Sequence, residues 1–395
     1  MAKSDCRSNL PQIVNLTFIT KGIPMKRAIL LLALLSILHQ SALAADPMKI
    51  GAVFSKTGIA AIHNAPLIEM VGLAAEEINN EGGLLGRPVR LIVLDNKSTP
   101  IGSKLAAEEA VRQGISAVIG AHWSSHSLAM APILQKAGIP MISPGSTNPK
   151  VTQIGNYIFR VCFIDSFQGK AMAKFAYNDL NAKKAVVLKN IDEEYSIKLA
   201  EYFMNAFRLI GGTILLDGSY RGKAVDFSDV LKETAKLSPE VVYIPGYTRD
   251  SGLLIKQAVS MGVKATFLGG DAWDEIYKIS GKAVDGSYHS APWHPDVPFP
   301  KSLHLKKIYQ QKFHMEIENM SAPLAYDAFM VLADAIKRAG TLNGAKLRDA
   351  VAKTRGLQIA TGIISFDENG DPLDKEVIIL KLDKGKPVYH MAIKP

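Results

Sequence analysis

Short apolar strands alternate with capped helices over most of the chain after residue 48, and this alternation constrains the fold more than any other feature. The segment Val241–Ile244 contains no charged residue, and the predicted helix Pro100–Gln113 starts at a proline and is followed by Gly114. Strands that are apolar on both sides need helices on both faces of a parallel sheet. The sequence therefore predicts an α/β fold built from doubly wound parallel sheets.

The alternation changes after residue 290. Four prolines lie within residues 290–300, which predicts an extended crossing segment, and three helices are predicted within residues 302–354. The C-terminal strands Val377–Leu382 and Val388–Ala392 flank a turn and predict a β-hairpin. A chain of 395 residues is long enough for two domains. Because the late helices need a sheet to cover and the first sheet is the nearest candidate, we expect two lobes with more than one crossing between them.

The N-terminal region contains one conspicuous apolar run, Ala28–Leu38, which is too short to span a bilayer. A Lys-Arg pair precedes it and a small-residue site ending at Ala44 follows it, which is typical of a secretory signal peptide cleaved after Ala44. A buried helix is the alternative. We interpret residues 25–44, which begin with methionine, as the signal peptide and residues 1–24 as an upstream extension outside the fold.

Charge and cysteine content exclude several classes of protein. The net charge of the sequence is +9, and removal of residues 1–44 would lower it by four, to +5. No dense Lys/Arg cluster remains, so we expect no nucleic-acid partner. Two cysteines exclude a disulfide scaffold and a four-thiolate zinc site, and cleavage would leave Cys162 as a single thiol.

The chain lacks the common catalytic motifs: a Walker loop, His-Glu-x-x-His, Cys-x-x-Cys and Gly-x-Ser-x-Gly. The segment His122–His126 combines Ser with His, but no nearby acid in the sequence orients a histidine base. The segment Asp367–Asp371 lacks the ligand spacing of a calcium loop and predicts a turn. We therefore expect no enzymatic activity, no cofactor and no metal.

Two strand-to-helix junctions are rich in hydroxyl groups. Ser124-Ser125 follow the strand Ala117–Gly120, and residues 143–147 follow the strand Pro140–Ile142. Both lie at carboxyl ends of parallel strands, where open α/β sheets bind ligands. Hydroxyls and free N–H groups at helix starts bind anions, but they also serve as ordinary helix caps, and both interpretations remain open.

The run Ile119–Ser125, followed at fixed spacing by Gly138–Thr147, resembles the leucine/isoleucine/valine-binding proteins, which are type I periplasmic solute-binding proteins of ABC transporters. Further similar pieces are Lys49–Gly51 with Thr57-Gly58, Ile78–Arg87, Asp226–Ser228, Gly246-Tyr247, Phe267–Asp271 and Tyr326–Ala328. The resemblance extends over essentially all of residues 46–395. It depends on the order of these pieces rather than on one motif.

The resemblance implies a zwitterion site with one half in each lobe. Three first-lobe residues would hold the α-carboxylate through hydroxyls and backbone N–H groups: Ser124, Gly145 and Thr147. Three second-lobe residues would complete the site: Asp271 for the α-ammonium, and the aromatic Tyr195 and Tyr247. Donors at one end and a carboxylate with aromatic faces at the other suit an amino acid. A helix cap at Asp271 and a loop anchor at Tyr195 remain the alternatives.

Three residues depart from the family pattern beside this site. His122 and Trp123 replace smaller or aliphatic residues, and His63 lies near a position where the family can have an aromatic. A second cysteine is missing, which removes the small disulfide of the family. Because Trp123 and His63 would reshape the side-chain pocket, we include both among the ligand-binding residues and leave a ligand other than a branched aliphatic amino acid open.

The resemblance implies a periplasmic, monomeric receptor that captures an amino acid by hinge closure and delivers it to a membrane ABC permease. We expect lobe 1 to comprise residues 45–164 and 290–365, and lobe 2 to comprise residues 165–289 and 366–395, joined by three crossing segments. Within the same fold, the alternatives are a receptor for an amide, a urea-like solute or an aromatic carboxylate, and a sensory ligand-binding module. An enzyme is the third alternative.

Overall fold

A computed structural model describes residues 46–373 and 375–395 of the chain. The predicted upstream extension, the signal peptide and its cleavage site after Ala44 lie outside these residues. In the part of the chain that the structure describes, no helix is both long enough and apolar enough to cross a membrane.

The first sheet is formed entirely by parallel strands in the order β2-β1-β3-β4-β5. The strands are β1 (Met48–Phe54), β2 (Val89–Asp95), β3 (Ala117–Gly120), β4 (Met141–Ser143) and β5 (Ile158–Arg160). The connecting helices are α1 (Ala61–Asn80), α2 (Pro100–Arg112) and α3 (Ser124–Ala137). Strand β3 is buried along its whole length, as a strand covered on both faces must be.

The second sheet has seven strands in the order β14-β13-β10-β9-β8-β6-β7. Its strands are β6 (Lys184–Asn190), β7 (Thr213–Tyr220), β8 (Val241–Ile244), β9 (Thr266–Gly269), β10 (Tyr288–Ala291), β13 (Val377–Asp383) and β14 (Lys386–Ile393). Strands β6 to β10 are parallel, and the hairpin β13–β14 adds antiparallel to β10. The helices are α4 (Asp165–Lys174), α5 (Glu194–Leu209), α6 (Ser228–Leu237), α7 (Thr248–Ser260) and the short α8 (Tyr277–Ser280).

Three helices follow residue 300 and cover the first sheet: α9 (Pro300–Phe313), α10 (Ala322–Ala339) and α11 (Gly344–Ala352). Phe329 and Leu332 of α10 pack in one core with Ile50 of β1 and Met70 of α1. The short strands β11 (Leu357–Ile359) and β12 (Gly362–Ile364) form a separate antiparallel pair. The α/β fold with two doubly wound, largely parallel lobes is therefore confirmed.

The chain passes between the two sheets three times: after β5, after β10 and between β12 and β13. The lobe boundaries given above remain a proposal, and the second of them falls inside β10. At the third passage, the fully buried Arg160 pairs with Asp371 at 2.6 Å from Nε to Oδ1 and donates from Nη2 to the Thr152 hydroxyl at 2.8 Å. This ion pair ties the end of β5 to the last crossing segment.

Candidate ligand-binding cleft

The first-lobe half of the predicted site is formed by the loops after β3 and β4. Ser124 begins α3 and is 2% exposed, and its hydroxyl accepts a hydrogen bond from the Asn148 N–H at 3.3 Å. Thr147 is fully buried, and its hydroxyl forms no well-aligned hydrogen bond within the described residues, although it lies close enough to the Asp165 carboxyl to oppose the rise of that group's pKa. A buried hydroxyl without a partner costs free energy, so a ligand oxygen here would complete an unsatisfied group.

Gly145 lies against the His122 ring, and a Cβ atom at residue 145 would collide with that ring. Only glycine therefore fits here. Burial, and next the nearby His63 and His126, lower the pKa of His122 to about 3. The imidazole is then neutral at physiological pH, so the predicted carboxylate would be held here through dipoles and hydroxyls rather than through a histidine cation.

Asp271 follows β9 and lies in the second-lobe half of the site. Its Oδ1 accepts a hydrogen bond from the Tyr195 hydroxyl at 2.8 Å, and its N–H donates to Gln168 Oε1 at 2.8 Å. No basic side chain of the described residues forms an ion pair with this carboxylate, which is 7% exposed. Burial raises its pKa to about 6, against the opposing effect of the Tyr195 and Gln168 hydrogen bonds. A cation placed beside Asp271 would remove this penalty.

A chain of buried polar contacts joins the two halves. The Asp165 N–H donates to the Thr147 carbonyl at 2.9 Å, and Gln168 Nε2 donates to Asp165 Oδ1 at 3.2 Å. Gln168 Oε1 also accepts from the Ser290 hydroxyl at 2.6 Å, in addition to the Asp271 N–H. Gln168 therefore links the first crossing segment, the loop after β9 and strand β10.

Sequence reasoning missed Gln168 and Asp165 as site residues. Both are fully buried in the first turn of α4, where polar residues usually cap a helix. Burial, and next the Asp271 charge, raise the pKa of Asp165. The one signal in the sequence was the position of Asp165 at the predicted crossing.

Three aromatic rings form a stack across the cleft. The Trp123 ring of the first lobe lies 3.9 Å from the Tyr247 ring of the second, at an angle of 17°. Tyr247 in turn stacks on Tyr195, with the ring centroids 5.3 Å apart. The Trp123 and Tyr247 rings are in direct contact, so a ligand side chain must lie beside the stack rather than between these two rings.

A cavity of about 430 Å³ opens beside the stack, with His63, Trp123 and Tyr247 among its lining residues. A second cavity of about 380 Å³ shares Ile59, His63 and Arg249 with the first. A volume of this order accommodates a small ligand. The cavities place His63 and the two stacked rings where a ligand side chain could reach them.

The eight predicted ligand-binding residues thus fall into three groups in space. Four are buried polar or aromatic residues that do not line the 430 Å³ cavity: Ser124, Thr147, Tyr195 and Asp271. His63, Trp123 and Tyr247 line it, and Gly145 lies against His122. Their roles in binding remain predictions. Cys162 is a buried free thiol, and no group of three or more His, Cys, Asp or Glu residues in the described ranges could hold a metal ion.

Comparisons with known proteins agree on one family. The family model described as periplasmic binding protein matches residues 47–387. A leucine-binding protein of Thermotoga maritima is 36% identical, with 88% of this chain and 99% of that chain covered and a TM-score of 0.83. A branched-chain amino acid transporter substrate-binding protein of Streptococcus pneumoniae, solved in complex with isoleucine, is 28% identical, with 89% and 100% covered and a TM-score of 0.84.

A Leu/Ile/Val-binding protein homologue of Brucella suis is 27% identical over 332 residues, which cover 83% of this chain and 88% of that protein. Members of the family are solute-binding proteins rather than enzymes. With the match extending over nearly all of the described residues, the chain belongs to the type I periplasmic binding proteins, in the leucine/isoleucine/valine-binding protein family.

Proposed function

We propose that this protein captures an amino acid between its two lobes and presents it to an ABC importer. The observation that carries the proposal is the buried Asp271 carboxylate, which accepts a hydrogen bond from Tyr195 but has no cationic partner among the described residues. An α-ammonium group supplies that charge. The family membership supports the same class of solute, as do the leucine-binding protein of Thermotoga maritima and the isoleucine complex of the Streptococcus pneumoniae protein.

The opposite end of the zwitterion would lie at Ser124 and Thr147. The unpaired Thr147 hydroxyl can donate to a carboxylate oxygen, and Gly145 leaves its backbone accessible where a side chain would collide with His122. Hydrogen bonds to a charged group are worth about 1.5–3 kcal/mol each. A site with donors in one lobe and a carboxylate in the other binds both halves of the same ligand only when the lobes are close.

Contacts between the lobes support a hinge mechanism. The Ser125 hydroxyl donates to Glu193 Oε2 at 3.1 Å, and Lys150 Nζ lies 2.8 Å from Glu194 Oε1. With the Trp123–Tyr247 stack, these contacts would break on opening and re-form on closing. The ligand shifts the equilibrium because it contacts both lobes only in the closed form.

Delivery to a membrane ABC permease and action as a monomer in the periplasm complete the proposal. Periplasmic binding proteins of ABC transporters work in that compartment, and relatives carry names that place them in such systems. Cleavage after Ala44 is the proposed route of export. N-terminal sequencing of protein from the cell envelope should give a chain that begins at Ala45 or within two residues of it.

The proposal is tested by a thermal-shift screen of amino acids, their des-amino analogues, small amides, urea and aromatic carboxylates, followed by calorimetry of each hit. A ligand at 100 times its Kd adds about 2.7 kcal/mol to the free energy of unfolding. We expect only amino acids to raise the melting temperature, and we expect small-angle scattering to show a smaller radius of gyration with ligand. Hits confined to solutes without an ammonium group would refute the amino-acid assignment.

A further inference from the structure

The carboxyl groups of Glu193 and Asp250 line the 430 Å³ cavity, and neither forms an ion pair within the described residues. Glu193 accepts a hydrogen bond from the Ser125 hydroxyl, and Asp250 accepts one from the Asn190 side-chain amide at 3.2 Å. Asp250 is 4% exposed. Burial raises the pKa of Glu193 to about 7 and that of Asp250 to about 6. Buried carboxylates without a cation are costly, so this wall of the cavity favours a positively charged guest.

Three basic residues also line the cavity: Arg221, Lys223 and Arg249. Arg221 has a side chain that is 72% exposed, and its Nη1 pairs with Asp192 at 2.7 Å. Arg249 donates from Nη1 to the Gly222 carbonyl at 3.2 Å, and Lys223 is exposed to solvent. Arg221 and Lys223 are therefore solvated, whereas the Arg249 charge partly offsets the raised pKa of Asp250 without forming an ion pair with it.

An independent observation at Tyr247 points to a ligand in this cavity. Tyr247 is 9% exposed and lines the cavity, and its buried hydroxyl forms no hydrogen bond within the described residues. Burial, and next the Glu193 charge, raise the pKa of that hydroxyl. A phenol oxygen accepts hydrogen bonds, and the faces of Tyr247 and Trp123 attract a cation. A guest with N–H donors and a positive charge satisfies all of these groups.

We propose that the cavity holds the positively charged end of the ligand's side chain, so that the substrates of this protein are amino acids with a basic side chain. This inference rests on the proposed function, in which Asp271 and Thr147 hold the α-groups. Asp271 is bonded to the Tyr195 hydroxyl, and Tyr195 stacks on Tyr247, which lines the cavity. The aromatic pair Tyr195–Tyr247 thus connects the α-site to the cavity.

Calorimetry with matched amino acids tests the inference on the parent protein. L-lysine, L-arginine and L-ornithine carry a terminal cation, L-norleucine has an unbranched uncharged chain, and L-leucine is branched and uncharged. We expect at least one basic amino acid to bind ten times more tightly than norleucine and leucine. Equal or tighter binding of leucine or norleucine would overturn the inference but leave the proposed function intact. L-glutamate as the tightest ligand would also overturn it, because the basic rim would then set the selectivity.

Two charge-neutralising variants sharpen the test: Glu193→Gln and Asp250→Asn. Each should weaken binding of the preferred basic amino acid at least ten times more than it weakens binding of norleucine. Asp229→Asn removes the same charge from a fully exposed position of α6 and should change neither. If Asp250→Asn does not fold, the Glu193→Gln variant at a half-buried position and the ligand series on the parent protein still test the inference. If no amino acid binds at all, the proposed function itself fails, which is a separate outcome.

Discussion

Replacing Asp271 by asparagine removes a negative charge from the centre of the site while keeping an oxygen that can accept the Tyr195 hydrogen bond. In the parent protein this carboxylate would pair with the α-ammonium group of the ligand, out of contact with water. Truncating one partner of such a buried pair costs about 2–5 kcal/mol, much of which comes from leaving the other charge unpaired. At about 1.4 kcal/mol per tenfold change in Kd, the substitution should weaken amino-acid binding about 30-fold or more.

The fold should tolerate this change. Burial raises the pKa of Asp271 from 3.8 to about 6, so the ionised carboxylate destabilises the ligand-free folded protein above that pH. A shift of about two units corresponds to about 3 kcal/mol. The ligand-free Asp271→Asn protein should therefore unfold at a temperature equal to or above that of the parent at pH 7.5. Urea or thermal unfolding measures this directly.

Calorimetry on both proteins with an amino acid and its des-amino analogue completes the experiment. The analogue lacks the ammonium group, so its affinity should be nearly the same for parent and variant. Asp229→Asn, which removes an exposed charge on the same lobe, serves as the control. If Asp271→Asn binds the amino acid within threefold of the parent, less than 1 kcal/mol is involved, and Asp271 is not the ammonium partner.

Three further predictions concern the carboxylate end, the pH dependence and the hinge. Thr147→Val removes a buried hydroxyl that has no partner among the described residues, so calorimetry should show at least tenfold weaker binding while urea unfolding changes by less than about 1 kcal/mol. Because the raised pKa of Asp271 is about 6, an ammonium group must displace a proton below that pH; affinity for an amino acid with an uncharged side chain should fall towards tenfold per pH unit, and Asp271→Asn should lose this dependence. Asp371→Asn strands the buried charge of Arg160 and should lower the free energy of unfolding by about 3–5 kcal/mol in urea, whereas unchanged stability would mean that the pair does not hold the crossing.

The bounds of several strands and helices could be predicted from the sequence alone, because their apolar runs end abruptly. Strands β3 and β8 have the predicted bounds, and α2 ends one residue before its predicted end at Gln113. Strand β8 lies between Glu240 and Pro245, and burial on both faces of β3 and β8 leaves little freedom in register. Local pattern and tertiary structure agree there.

Strand β10 was missed because its residues do not form an apolar run. His289 and Ser290 are buried, and their polar atoms are satisfied by the Ser290 carbonyl and by Gln168 respectively. Helix α4 is continued by a π-helical turn over Phe175–Asp179, which the Leu180 N–H closes on the Phe175 carbonyl. Neither feature follows from hydrophobic periodicity, because tertiary contacts determine both.

The candidate site likewise contains residues that a local sequence pattern reveals and residues that only tertiary contacts reveal. The hydroxyls at Ser124 and Thr147 stand out in the sequence because they follow apolar strands. Gln168 does not stand out, because its role depends on contacts with Asp271 and Ser290, which lie 103 and 122 residues further along the chain. Local pattern and resemblance thus predicted several residues that are expected to contact the ligand. The fold was needed to find Gln168, which positions Asp271.

The position of Asp271 also explains how closure could depend on the ligand's charge. Bringing the lobes together removes water from this carboxylate, and without a cation it must either take up a proton or remain charged and unpaired. Both outcomes oppose closure near neutral pH, whereas an α-ammonium group turns the same desolvation into an attraction. Because Gln168 joins Asp271 to the first crossing and to β10, the charge lies on the elements that must move. A solute without the ammonium group would leave this opposition in place, so we expect the proposed closure to be selective for amino acids.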